Sequence, residues 1–156
     1  MPTAAQNAIA RGNLEDLRSD IRLSGDPDQP DKDGRPLLVW AILEGNNEAV
    51  ALLIENGAEV NLVENRHGYS PIHFAAQEQN PEAIAMLVNA GAELESKDKF
   101  GNTALNRAVF DSKGRGETIT ELLRHGADPN IQNNYNITPH SLAKQIANYD
   151  IAQFFK

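Results

Sequence analysis

The 156-residue chain contains no cysteine. That excludes disulfides, thiolate chemistry and cysteine-ligated zinc together. Aromatic side chains are few: five Phe, three Tyr and one Trp. No run of about 18 apolar residues occurs, so no membrane-spanning helix is expected. The opening stretch MPTAAQNAIARGN lacks a basic segment followed by an apolar one, so no signal peptide is read there. Positive charge is in short supply, with 14 Lys+Arg against 22 Asp+Glu and a net charge of −8. A chain this acidic repels nucleic acid, whose binding depends on neutralising phosphates. Length and composition fit one domain, and the missing cysteines fit a cytoplasmic one.

Residues 65–95 hold the clearest pattern. Gly68 and Tyr69 sit in a turn. Ser70 is placed to cap a helix, and Pro71 suits the first helical position, where its missing N–H would be unpaired anyway. Ile72, Ala75 and Ala76 recur at helical spacing. Asn80 and Pro81 break that short helix and start a second, in which Ile84, Leu87 and Val88 repeat the i, i+3, i+4 stripe. Gly91 ends it. Two helices this short cannot cover Ile72, Phe74, Ile84, Leu87 and Val88 by themselves, so neighbours of the same kind are required.

The sequence supplies them. Gly34, Gly68 and Gly101 open three units at spacings of 34 and 33, and Gly57, Gly91 and Gly126 close them at 34 and 35. Ala41, Ala75 and Ala108 share one slot, as do Leu53, Leu87 and Leu122. About two extra residues near 112–116, glycine-rich, read as a loop between the helices of the third unit.

These residues resemble the ankyrin repeat. Ser70-Pro71-Ile72-His73-Phe74-Ala75 follows its T-P-L-H-x-A element, and Gly57-Ala58-Glu59-Val60-Asn61 and Gly126-Ala127-Asp128-Pro129-Asn130 follow its G-A-D-x-N close. The resemblance implies an all-α solenoid of about five repeats, each a turn plus an antiparallel helix pair. The reading divides the chain into an N-terminal capping repeat (residues 1–31), three central repeats (32–64, 65–97 and 98–133) and a C-terminal capping repeat (134–156). Terminal repeats deviate because one face meets water. The first lacks the Pro-Leu-His element, and Arg11, Arg18 and Arg22 are expected on its wet face. In the last, His140 stands where Ile72 stands above, which puts packing there in doubt, and Ile151, Phe154 and Phe155 are expected to restore a second-helix stripe.

Catalytic chemistry finds no foothold. No H-E-x-x-H, G-x-S-x-G or phosphate-loop motif is present. His73 belongs to the ankyrin-like element, which implies a hydrogen bond between neighbouring turns. His125 sits in the last turn of a second helix, where a cation suits the dipole. His67 lies on a turn tip. Asp31/Asp33 and Glu15/Asp16 read as solvated carboxylates on turns or wet helix faces, since catalytic carboxylates need burial to shift their pKa. No enzyme, metal or cofactor is expected.

The surface is left as the candidate. The resemblance implies partner contacts on the turn tips and the exposed side of each first helix. Carried over by position, the tips are Lys32, Asp33 and Arg35; Arg66, His67 and Tyr69; Lys99, Phe100 and Asn102; and Asn134, Tyr135 and Ile137. The helix positions are Trp40, Leu43 and Glu44; Phe74, Gln77 and Glu78; and Arg107, Phe110 and Asp111. Six of the nine aromatics fall on this surface. Tyr69, Phe100 and Tyr135 are expected to be exposed anchors, because aromatic and arginine side chains dominate interface energies. Residues 1–96 carry 6 basic and 16 acidic side chains, and residues 97–156 carry 8 and 6, so the N-terminal half would steer a basic partner. The expected function is to bind and inhibit one protein partner, with a bacterial toxin-immunity role as one form and a general adaptor as the alternative. The free chain is expected to be a monomer.

Overall fold

The computed structural model describes all 156 residues as helices joined by turns, with no strand. The helices are α1 (Ala4–Arg11), α2 (Leu14–Ser24), α3 (Leu37–Leu43), α4 (Asn47–Glu55), α5 (Pro71–Gln77), α6 (Pro81–Asn89), α7 (Ala104–Phe110), α8 (Glu117–Arg124) and α9 (Pro139–Gln145), followed by a 3₁₀ turn at Ile151–Phe155. Consecutive elements pair as α1/α2, α3/α4, α5/α6, α7/α8 and α9/3₁₀. The odd-numbered helices then file side by side in one layer and the even-numbered ones in another. The result is a five-unit solenoid.

The first helix of the second unit, α3, is apolar all round because it lies between layers and between neighbours. Leu37, Leu38, Val39, Ala41 and Ile42 of α3 are all fully buried. So are Ala41, Ala75 and Ala108, whose small side chains let successive first helices approach closely. Leu53, Leu87 and Leu122 are the equivalent buried residues of the second layer. One continuous core of 33 apolar residues runs from Ala5 to Ile151.

Asparagine performs two tasks at the turn between paired helices. The Oδ1 atoms of Asn13, Asn46 and Asn80 accept the N–H of the residue three positions on, at 3.1, 2.9 and 3.0 Å, satisfying an orphan donor at each second-helix start. The amide of Asn46 also donates to Ile9 O (3.1 Å), and that of Asn80 to Asn47 Oδ1 (2.7 Å), so the same side chains tie each unit to the one before. The third unit breaks this pattern. Its insertion is a loop as expected, and Gly116 takes the cap position without a side chain. A Cβ there would stand 2.2 Å from the Phe154 ring, so the insertion folds onto the closing repeat.

Two expectations for the end repeats are corrected. Residues 151–155 form a single 3₁₀ turn instead of an α-helix, because so short a stretch cannot offset the cost of an α-helical nucleus. Ile151 is buried there, and Phe154 and Phe155 are half-buried. His140 disrupts nothing: its ring stacks on Phe155 with centroids 5.4 Å apart. At the other end Arg11, Arg18 and Arg22 are exposed. The first helix has a substitute for the missing Pro-Leu-His element, a capping box in which Thr3 and Gln6 bond each other's backbone N–H at 2.8 and 3.2 Å.

Leu87, on α6, is completely buried, so Leu87→Ala should cost about 2–5 kcal/mol. Urea denaturation followed by circular dichroism measures it, and an unchanged midpoint would show that this side chain does not hold the stack together.

Candidate functional site

Four tips project from the first-helix layer, at residues 31–35, 64–69, 98–102 and 133–137. Each is closed by a hydrogen bond from its first N–H to its last carbonyl: Asp31 to Arg35 (2.9 Å), Glu64 to Tyr69 (2.9 Å), Asp98 to Asn102 (3.0 Å) and Asn133 to Ile137 (3.0 Å). The first side chain folds into the tip and accepts its inner N–H groups. Asp31 takes those of Asp33 and Arg35 at 2.8 and 2.9 Å. Asp98 takes those of Phe100 and Asn102 at 2.8 and 2.9 Å. Asn133 takes those of Tyr135 and Ile137 at 2.9 and 3.0 Å.

The second tip is one residue longer and uses the longer glutamate. Glu64 accepts from Arg66, His67 and Tyr69 at 2.6, 2.5 and 3.1 Å. The extra methylene of Glu over Asp spans the extra backbone residue. Sequence reasoning missed these four latches. The signal was present as an Asp, Glu or Asn three or four residues ahead of each left-handed position, which is glycine in three tips and Asn136 (φ 60°) in the last. The latch also corrects the reading of Asp31 as a solvated carboxylate. Only 8% of its side chain is exposed, and Arg35 Nε (2.9 Å) and Trp40 Nε1 (3.0 Å) donate to its Oδ2. Burial would raise its pKa, but the hydrogen bonds from Arg35, Asp33 and Trp40 outweigh it and hold the carboxyl below its ordinary range.

The tips are zipped from the second to the fourth. Lys99 N–H donates to His67 O (2.9 Å), and Asn134 N–H to Phe100 O (3.0 Å). Lys99 Nζ reaches back to Arg66 O (3.0 Å). No backbone bond joins the first tip to the second. A groove of about 470 Å³ opens there, walled by both tips and floored by Phe74 and Gln77.

Histidine and tyrosine make the keystone of this surface. His73, fully buried, accepts Ser70 N–H at Nδ1 (3.2 Å), and its Nε2–H donates to Asn102 O of the next tip (2.9 Å). That is the inter-turn bond the resemblance implied. Burial lowers its pKa, so the ring is neutral at pH 7. Tyr69 was expected to be an exposed anchor, and this is corrected: it is 9% exposed. Its ring lies between His67 (5.2 Å) and His73 (5.7 Å), meets Phe74 edge-on (5.5 Å) and lies beneath the Arg107 guanidinium (5.4 Å). Phe74 is likewise buried. A turn residue can be buried here because the neighbouring unit arches over it, which a one-unit reading does not reveal.

The other expected contact residues are spread over the tips and the first helices. Lys32, Asp33, Arg66, Lys99, Phe100, Asn134 and Tyr135 are exposed on the tips, with Arg35, His67, Asn102 and Ile137 half-buried. On the helices Glu44, Glu78 and Phe110 are exposed, and Trp40, Leu43, Gln77, Arg107 and Asp111 are half-buried. Phe110 and Tyr135 each expose 66% and Phe100 43%. Arg107 organises the floor: it pairs with Asp111 (2.8 Å), reaches Gln77 Oε1 (3.3 Å) and covers the Phe110 ring (5.4 Å) as well as that of Tyr69. No group of three or more His, Cys, Asp or Glu is placed to hold a metal. No helix is long and apolar enough to cross a membrane.

A stack of latched tips and paired helices defines a repeat solenoid. Family comparison agrees: a model of ankyrin repeats in three copies matches residues 3–98, and an ankyrin-repeat model matches residues 100–134. The chain belongs to the ankyrin-repeat family. It is similar to the B-cell lymphoma 3 protein homolog of Mus musculus, 32% identical over 121 residues, covering 76% of this chain and 26% of that one. It is also similar to a putative ankyrin repeat-containing protein of Treponema pallidum, 31% identical over 148 residues, covering 92% and 48%. The RelA-associated inhibitor of Mus musculus is 36% identical over 70 residues, covering 45% and 8%. The chain thus spans about half or less of the length of these relatives. Ankyrin-repeat relatives are protein-interaction modules.

Two measurements check the latches. Burial would raise the Glu64 pKa, but the N–H groups of Tyr69, His67 and Arg66, helped by His67, pull it below its ordinary range. The stability it contributes is therefore present above the ordinary glutamate pKa of about 4.3 and lost as pH falls through the lower folded value. Glu64→Gln should flatten that acid limb of the stability curve, and Glu64→Ala should cost about 1–3 kcal/mol at pH 7. Asn106 holds the slot of His73 but is shorter, and its Nδ2 is buried without a partner. Asn106→His should restore a bond to the Ile137 carbonyl and raise stability by about 1 kcal/mol, read as a higher melting temperature.

Proposed function

We propose that the chain binds one protein partner in its concave face and inhibits that partner by covering its working surface. The observation that carries this reading is the row of Phe100, Phe110 and Tyr135, large aromatics left exposed on one side of a well-packed stack. Such side chains supply most of the energy of protein interfaces. Zipped tips and an Arg107-locked floor hold the row rigid, which lowers the entropy lost on binding.

The partner has a basic surface, steered by the net charge of −8. One relative is named an inhibitor, which supports the inhibitory form of the reading. A toxin-immunity role has the same geometry with a secreted toxin as the partner, and a gene neighbour encoding such a toxin would single it out.

Co-purification from the native host with mass spectrometry identifies the partner, and titration calorimetry with that partner tests the surface. Phe100→Ala with Tyr135→Ala should weaken binding tenfold or more, since each anchor is worth roughly 2 kcal/mol, while leaving the melt nearly unchanged. Tyr69→Ala should instead lower stability by about 3–5 kcal/mol. Full affinity in the double variant would remove the aromatic row from the interface. A partner whose activity is unchanged when bound would leave binding without inhibition, as in an adaptor.

A further inference from the structure

Resting on the reading that the concave face holds a protein, we propose that this face is polarised across its width. The tip side receives carboxylates of the partner, and the opposite edge receives its lysines or arginines.

The tip side offers unpaired cations, although the first two tips balance in formal charge, with Lys32, Arg35 and Arg66 against Asp31, Asp33 and Glu64. Lys32 and Arg66 are exposed, and neither side chain donates a hydrogen bond within the protein or has a carboxylate within 4 Å. They wall the groove between the first and second tips together with Arg35 and His67. The three carboxylates of these two tips are already engaged. Asp31 and Asp33 pair with Arg35 Nε (2.9 Å) and Nη2 (3.2 Å), and Glu64 accepts three backbone N–H groups. The groove is unzipped, so its two free cations face an open cleft.

The opposite edge carries the reverse sign. Glu44 and Glu78 cap the C-termini of α3 and α5, and α4 and α6 carry Glu48 and Glu82 in their first turns. All four are exposed, and none lies within 4 Å of a cation. The bond from Asn47 Nδ2 to Glu82 (2.8 Å) shows that the two units present these groups side by side. Arg11 stands at the outer end of this edge and pairs with none of them. Glu44 and Glu78 sit at helix C-termini, where the helix dipole disfavours a negative charge, so local helix stability does not account for them.

The two edges act separately. A seven-residue first helix is about 10 Å long, and the screening length at physiological salt is about 8 Å. A partner laid across the groove is therefore oriented by opposite charges at its two sides. An acidic surface spread evenly over the N-terminal half would give no such orientation.

Amide chemical shifts of the full chain, titrated with acetylated octaglutamate and separately with octalysine at about 50 mM salt, test this. Octaglutamate should shift residues 32–35 and 65–68, and octalysine residues 44–48 and 78–82. The exposed pair Lys32→Glu with Arg66→Glu should abolish the octaglutamate shifts and leave the octalysine shifts in place. Both peptides on one edge, no tip shifts with octaglutamate, or shifts that survive the charge reversal would each overturn the polarity. That outcome leaves the aromatic row untouched. Loss of the aromatic row from the interface, with the peptide pattern intact, would strike the binding reading instead.

Discussion

A helix of seven or eight residues has too little surface to bury an apolar face against one partner helix, and every first helix in this protein is that short. The structure follows from this shortfall. Each helix pair leans on the next pair, the apolar residues of α3 face neighbours on several sides, and the core becomes a continuous strip instead of a central cluster. Stability in such a stack is a sum of unit and interface terms, so the bonds that cross between units carry weight beyond their number. Those of Asn46, Asn80 and His73 are of this kind.

The tips solve a second problem raised by the same architecture. Stacked turns bring backbone N–H groups together where water has limited access, and each needs an acceptor. One folded-in side chain per tip provides it, while the residues around it remain outside and free to vary. That division explains how a rigid scaffold can carry Lys32, Arg66, Phe100 and Tyr135 on successive tips with unrelated chemistry. Rigidity comes from the latch, and the chemistry offered to a partner comes from its neighbours.

Much of the fold was legible because it rests on period. Glycines, alanines and leucines recurring every 33–35 residues, with Pro and Ser at helix starts, announce turn, helix, turn, helix. The end units were less legible. Ile151, Phe154 and Phe155 have helical spacing, but spacing alone does not say whether a stretch is long enough to support a helix. The site was legible in position and less so in exposure. Phe100 and Tyr135 face solvent, whereas Tyr69, also on a tip, is roofed by Arg107 from the next unit. The latches escaped notice because one glutamate replaces an aspartate and shifts its place by a residue, which blurs the repeat.

By itself the sequence determined the repeated unit, its count, and the need for each unit to have neighbours, since these follow from local propensity and from apolar surface that one unit cannot cover. Tertiary structure alone decided which tip side chains are buried, where the zip of the tips lies open, and which charges are already paired. Those outcomes depend on contacts between residues about one repeat apart, where a single added residue or a shorter side chain changes what can reach what.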